Sequence, residues 1–450
     1  MVSLLVLLAA FSGRAQTSQT NATDILAKPL SRADAVQIAL RQNTAIRKGN
    51  ADLRASYGIE VQLRAIALPQ FSLGGGYNYL EPSLVESFPL PAPYNSYVQI
   101  PNQNWNADIK VQQSIYAGGR LTSAYRSAKL TREQALLKYQ TTLADTLLSV
   151  RTTYDDVLLA AQQVSVHEAS VKLLTDELDD IQKRYKAGTV PQFDVLRAQV
   201  ELANERPHLI QSRNDLRIGK NNLLNLMGVR LPKDIWEDVP LKLSDSLEAR
   251  PYDIDLTSGL AQALTKRPEL GALRKAEALR REDLVNAKSG YKPNASIYGG
   301  YEWQSLNYEK NLDADLYGWT AGAQLSWNIF DGQLTRGKIM EAKARHEQAE
   351  LDVDESVRQI ELDVRTAYSS FVEAREVLDS QKLVQQQAEE ALRLAEARHQ
   401  AGTGTQLDVL SAQTALTQAR TTQVQALHDY AVARARLQRA LGEDMEIIQK

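Results

Sequence analysis

The sequence predicts a mostly α protein with a small β part, built twice on one plan. Three observations predict it. Segments recur at a fixed spacing, two helical stretches run far beyond ordinary length, and a pair of strictly alternating segments precedes each of them.

The repeat sets the domain plan. VRTTY at 150–154 recurs as VRTAY at 364–368, and AGTVPQFDVLRAQ at 187–199 as AGTGTQLDVLSAQ at 401–413. EQALL at 133–137 returns as EQAEL at 347–351, and Met227-Gly228 as Leu441-Gly442; every pair lies 214 positions apart. Upstream the spacing is 224, matching Pro69 with Pro293 and GGY at 75–77 with GGY at 299–301. The first copy therefore carries ten extra residues between Tyr77 and Trp105, where Pro82, Pro89, Pro91, Pro93 and Pro101 mark an exposed loop. The plan is a first repeat over 30–229, a linker over 230–254 with Pro232, Pro240 and Pro251, a second repeat over 255–442 and a short tail over 443–450.

Each copy holds a β-hairpin, at 70–116 and 294–330. Trp105, Ala107, Ile109, Val111 and Ile115 alternate with Asn106, Asp108, Lys110, Gln112 and Ser114. Trp319, Ala321, Ala323, Leu325, Trp327 and Ile329 form the matching row in the second copy. The companion strands place Phe71, Leu73, Gly75, Tyr77 and Tyr79, or Ala295, Ile297, Gly299, Tyr301 and Trp303, on one face. Segments of about 9–11 residues with aromatic ends suit strands that cross a bilayer. A half-buried hairpin in a soluble sheet gives the same alternation.

Glycines at 118, 119 and 332 end the hairpins, and long helices follow, with helix pairs expected over 121–228 and 336–441. Leu121–Lys186 contains neither proline nor glycine. Its apolar positions, among them Leu143, Leu147, Val150, Tyr154, Val157, Leu174, Leu178 and Ile181, keep the 3.5-residue register of a left-handed coiled coil. At a rise of 1.5 Å per residue such a helix runs about 100 Å. The second copy repeats it from about Arg336 to Gln400. Partner helices are expected from Pro191 to Met227, kinked at Pro207, and from Thr405 to Leu441.

Composition narrows the function. A net charge of −3 gives no reason to expect nucleic acid. The lack of cysteine excludes disulfides, zinc–thiolate sites and a lipid-bearing N-terminal cysteine. The five histidines (167, 208, 346, 399 and 428) lack metal-ligand spacing, the glycines at 74–76 precede no phosphate-receiving helix, and no nucleophile elbow is present. No catalytic role, cofactor or metal is expected. Residues 1–15, apolar and ending Gly13-Arg14-Ala15, read as a secretory signal, followed by a tail over 16–29.

Four strands cannot close a transmembrane barrel, because single-chain bacterial barrels begin at eight. An open edge in lipid leaves backbone groups unpaired. Two chains would give eight strands and a filled interior, whereas three give twelve and room for a pore. Asn106, Asp108, Lys110 and Gln112 suit a wet lumen. The competing reading is a structural coiled-coil protein of the cell envelope without channel activity.

The duplicated layout, LSRADAVQIALRQN at 30–43 and the twin turns RYKAGTVPQFDVLRAQ (184–199) and RHQAGTGTQLDVLSAQ (398–413) resemble the TolC-like outer membrane efflux proteins. The likeness spans about Leu30 to Gly442. It implies a homotrimer in outer-membrane lipid, a twelve-stranded barrel and an α-helical barrel through the periplasm. It also implies docking to a periplasmic adaptor and, through it, to an inner-membrane transporter. Gly188, Thr189, Gly402 and Thr403 would be the docking turns, and Asp194 and Asp408 the carboxylates of the channel constriction. His399 and Gly404 depart from the family pattern, in which a tyrosine and an arginine lock the closed tip. Read locally, Thr189 and Thr403 stand three residues before Gln192 and Gln406, a capping-box spacing for the next helix, with each aspartate in the favourable first turn.

Overall fold

The computed structural model describes residues 26, 28–85, 87–89, 93, 97–99, 101–230, 238–306, 312–313 and 315–444. The proposed signal at 1–15, residues 16–25 and 27 of the tail, Pro91, Pro232 and residues 445–450 lie outside the described residues. The chain divides into two compact units. One is formed by the described residues of Met1–Lys48, Thr142–Lys266 and Glu361–Lys450, the other by Gly49–Thr141 and Arg267–Ile360.

In chain order the helices are α1 (Arg32–Gln42), α2 (Thr44–Ala65), α3 (Arg120–Lys186), α4 (Gln192–Met227), α5 (Leu256–Lys266), α6 (Pro268–Lys288), α7 (Leu334–Gln400) and α8 (Gln406–Leu441). Both long helices have 67 residues and both partners 36, so the duplication extends to element length. Pro207 lies inside a continuous α4. The strands are β1 (Gln70–Tyr79), β2 (Ser87–Pro89), β3 (Tyr97–Gln99), β4 (Gln103–Ala117), β5 (Asn294–Ser305) and β6 (Asp315–Ser326). The ten-residue excess of the first copy is not all loop, because β2 and β3 pair as a small antiparallel ribbon.

The unit of Gly49–Thr141 and Arg267–Ile360 carries a four-stranded antiparallel sheet, ordered β1-β4-β5-β6. Each repeat supplies one hairpin, and β4 joins β5 across the repeats. The register aligns Leu73, Ile109, Tyr301 and Trp319 in one row. Because side chains alternate between faces, one face is apolar across all four strands. It is bare in the single chain: Phe71 is 77% exposed, Leu73 80% and Trp319 84%. The other face pairs Asn106 with Gln304 and Asp108 with Glu302. Gly74 and Gly76 serve this polar face. A Cβ on Gly74 would lie 2.4 Å from Asp108 Oδ1 and one on Gly76 2.7 Å from Asn106 Oδ1, so both polar side chains rest over bare backbone.

Two strand expectations are corrected: β6 ends at Ser326, short of Trp327 and Ile329, and the row on β4 changes at a bulge. The register of β4 against β5 shifts between Ser114 and Tyr116, and Tyr116 stands opposite Ala295. The extra residue of this bulge interrupts the alternation, and Tyr116 takes the place opposite Ala295 in the apolar row.

In the other unit, Val150, Tyr154 and Val157 of α3 pack with Leu223, Leu224 and Met227 of α4 and Ala35 and Ala39 of α1. Gly228, at φ 77°, ends α4, and a Cβ there would lie 2.5 Å from the Gln42 carbonyl oxygen. The segment read as a linker is stitched into this core. The Leu30 amide donates to Lys242 O at 2.8 Å, the Ser244 amide donates to Leu30 O at 3.0 Å, and Val239, Leu241 and Leu247 are buried. Beyond the end of α8, buried Asp444 meets Arg151 of α3 at 3.0 Å, and Arg439 meets Asp145 at 2.7 Å.

Candidate functional site: the paired helical turns

The long helices α3 and α7 end in basic last turns, Lys183, Arg184 and Lys186 in one and Arg398 and His399 in the other, which complement the negative helix end. Each chain then reverses through a left-handed glycine, Gly188 at φ 75° and Gly402 at φ 74°. The Thr189 amide donates to Arg184 O at 3.0 Å and the Thr403 amide to Arg398 O at 2.9 Å, the closing bonds of a Schellman cap. Small cores clasp both turns from within. Ile181, Val195 and Ala198 form one, and Leu392, Val409 and Leu416 the other.

The two threonines finish the preceding helix instead of capping the next. Thr189 Oγ1 donates to Arg184 O at 3.0 Å, and Thr403 Oγ1 to Arg398 O at 3.2 Å. The cap of α8 is Thr405, two residues later than expected. Its hydroxyl accepts from the Asp408 amide at 3.2 Å while its own amide donates to Asp408 Oδ2 at 2.9 Å. A left-handed glycine needs further residues before the chain can re-enter a helix, which moves the cap downstream. The Thr405 amide bond, and then its hydroxyl, hold the Asp408 carboxyl below its usual range. Pro191 occupies the matching position before α4 and offers no side-chain bond, so Asp194 lacks this restraint. The spacing Thr405-x-x-Asp408 was legible as a capping box.

The structure brings the two turns together within one chain. Arg184 Nη1 lies 3.4 Å from His399 Nε2, and Arg184 Nε pairs with Asp180 at 2.8 Å. His399 Nδ1 lies 3.4 Å from Gly404 O, so the two departures from the family pattern sit side by side. Deeper, the Gln406 side-chain amide donates to Glu177 Oε1 of α3. Glu177 Oε2 and Gln413 Oε1 are enclosed without a hydrogen-bond partner among the described residues. Burial, the largest influence, raises the Glu177 carboxyl above its ordinary range. Sequence reasoning missed Glu177, which lies 229 positions from Gln406 and carries no local signal.

A second cluster lies in the other unit. His346 Nε2 stands 2.9 Å from Glu277 Oε1, and its Nδ1 3.6 Å from Glu350. Arg281 pairs with the same Glu277 oxygen at 2.7 Å. Both ring nitrogens face carboxylates, and a guanidinium shares the Glu277 oxygen. Sequence spacing could not show it, because Glu277 is 69 positions away from His346.

The profile of the outer membrane efflux protein family matches residues 35–229 and 259–443, one match on each repeat. The chain belongs to the outer membrane efflux protein family. Among curated members it is 23% identical to outer membrane protein TolC of Escherichia coli (strain K12) over 419 residues, 90% of this chain and 81% of that one. It is 23% identical to the alkaline protease secretion protein AprF of Pseudomonas aeruginosa, over 79% of this chain and 72% of that one. The fold is that of solved outer-membrane channels. The CmeC channel of Campylobacter jejuni gives a TM-score of 0.79 at 14% identity, covering 93% of this chain and 88% of that one. VceC of Vibrio cholerae gives 0.73 at 18% identity, covering 91% and 96%. As a member of the efflux family, the chain is an outer-membrane channel protein.

Proposed function

We propose that three copies of this chain form a passive conduit for efflux or secretion across the outer membrane and the periplasm beneath it. One observation carries the reading. A single chain holds a four-stranded sheet with one face largely apolar and exposed, and with β1 and β6 as free edges. In hydrocarbon each unpaired backbone group costs several kcal/mol, so sister sheets must complete the wall. Twelve strands leave a lumen lined by the Asn106, Asp108 and Lys110 face. The long helices continue as a periplasmic α-barrel whose end is formed by the paired turns.

At that end Gly188, Thr189, Gly402 and Thr403 form the rim that meets a periplasmic adaptor, which links the channel to an inner-membrane transporter. Asp194 and Asp408 from three chains supply six carboxylates, a ring that favours cations. Cargo choice lies in the transporter, a reading that fits relatives named for cargoes as different as a protease and pyoverdine.

Outer-membrane fractionation and planar-bilayer recording test this reading. Wild type should sediment with outer membranes and form discrete cation-preferring channels. An Asp194→Asn, Asp408→Asn double variant should lose most of that preference while conducting. Unchanged selectivity would remove the carboxylate ring from the account, and a soluble monomer without conductance would overturn the channel reading.

A further inference from the structure

The apolar face of the sheet holds a groove. The row Phe71, Val111, Gly299, Ala321 runs between two bulkier rows. On one side stand Leu73, Ile109, Tyr301 and Trp319; on the other, Ile297 rises beside Gln113. Gly299 and Ala321 give the groove a floor almost without side chains. Its wall is rigid, because Tyr301 packs against Trp303 at 4.4 Å and edge-on against Trp319 at 5.1 Å. The open groove offers about 910 Å³, within the range of small-molecule sites, and its lining is almost wholly apolar.

The groove has a direction. Pro69, Gln113 and Ile297 mark one end of it, and these are the strand ends that join helices α2, α3 and α6. Two exposed cations stand at that end, Lys292 just before β5 and Arg120 at the start of α3. Neither makes an ion pair with another described residue. Beside them Trp327 Nε1 donates to Tyr291 O at 3.1 Å, an aromatic pair of the kind that sits at headgroup level.

We infer that this groove seats an acyl chain of an anionic glycerophospholipid from the helix-side leaflet, its phosphate level with Arg120 and Lys292. The inference rests on the proposed membrane reading, which makes the helix end of the sheet the periplasmic end. A flexible chain can fill a channel floored by glycine and alanine, and clustered Lys and Arg at the interface favour anionic headgroups.

Native mass spectrometry of the detergent-purified oligomer, equilibrated with equal phosphatidylglycerol and phosphatidylethanolamine, tests it. Wild type should retain phosphatidylglycerol several-fold over phosphatidylethanolamine. Ala321→Trp fills the floor and should lose most retained lipid. The Arg120→Ser, Lys292→Ser double variant, which leaves the groove intact, should retain lipid without headgroup preference. Equal retention by wild type and Ala321→Trp would overturn the inference, as would lipopolysaccharide as the retained species. Conductance of the same wild-type preparation separates the two levels. Channels without retained phospholipid sink the groove alone, and absence of channels sinks the reading beneath it.

Discussion

Glu177 makes the packing beside the paired turns sensitive to protons. It meets Gln406 and Gln413 of α8, with His399 and Glu396 of α7 acting on it through space. Burial raises its carboxyl, against the lowering pull of the two glutamines and of His399; Glu396 adds to the rise. A carboxyl raised by packing binds its proton more tightly when packed than when the helices part. The contact is therefore fully stable below the ordinary glutamate value of 4.5 and weakens as pH rises through the raised value. A neutral Glu177→Gln variant cannot titrate. Its melting temperature, relative to wild type, should climb by about 1–2 °C between pH 4 and pH 8, about what a modest buried-charge penalty gives in a chain of this size. A gap that stays flat across that range would show that Glu177 carries no such penalty.

At the scale of elements, the buried pair beyond the end of α8 holds the second repeat to the first. Asp444 is 1% exposed and Arg151 15%, and burial raises the acid and lowers the base. Asp444→Ala leaves Arg151 buried and unpaired, which costs about 3–5 kcal/mol. Thermal unfolding should show a drop of about 3–5 °C, and an Arg151→Met, Asp444→Leu double variant should recover most of it. A single variant that melts with wild type would mean water reaches Arg151 in place of its partner. Elements of this kind were legible to different depths. The run without glycine or proline from Leu121 to Lys186 became α3 (Arg120–Lys186), because nothing in it could stop a helix and Gly188 could. The strands were legible from alternation up to Ser114, where the bulge broke the only signal available. The Thr405 cap was present in the spacing but hidden by a nearer threonine with similar chemistry. The burial of Val239, Leu241 and Leu247 was masked by the prolines around them, since proline breaks helices but does not prevent packing. The Arg184–His399 and Glu177–Gln406 contacts join positions more than 200 residues apart, and only the assembled fold reveals them.

For the whole molecule, the two sheet edges decide how many copies assemble. In one chain β1 and β6 pair on one side only. A twisted sheet with free edges either closes on itself through sister copies or keeps adding strands without limit. Covalent capture separates these outcomes, and the chain suits it because it contains no cysteine. A first cysteine belongs on β1 in place of Ser72. A second, walked over Gly318, Thr320 and Gly322 of β6, tests successive registers on the polar face. A disulfide forms only where the Cα atoms of neighbouring strands come within about 4.4–6.8 Å, so at most one or two of the three pairings should oxidise. Closure by three chains predicts a covalent species of three chains that is stable in denaturing detergent and never exceeded. A dimer as the largest species would mean an eight-stranded, filled barrel with no pore. A series extending past three would mean an open sheet, which a membrane does not tolerate.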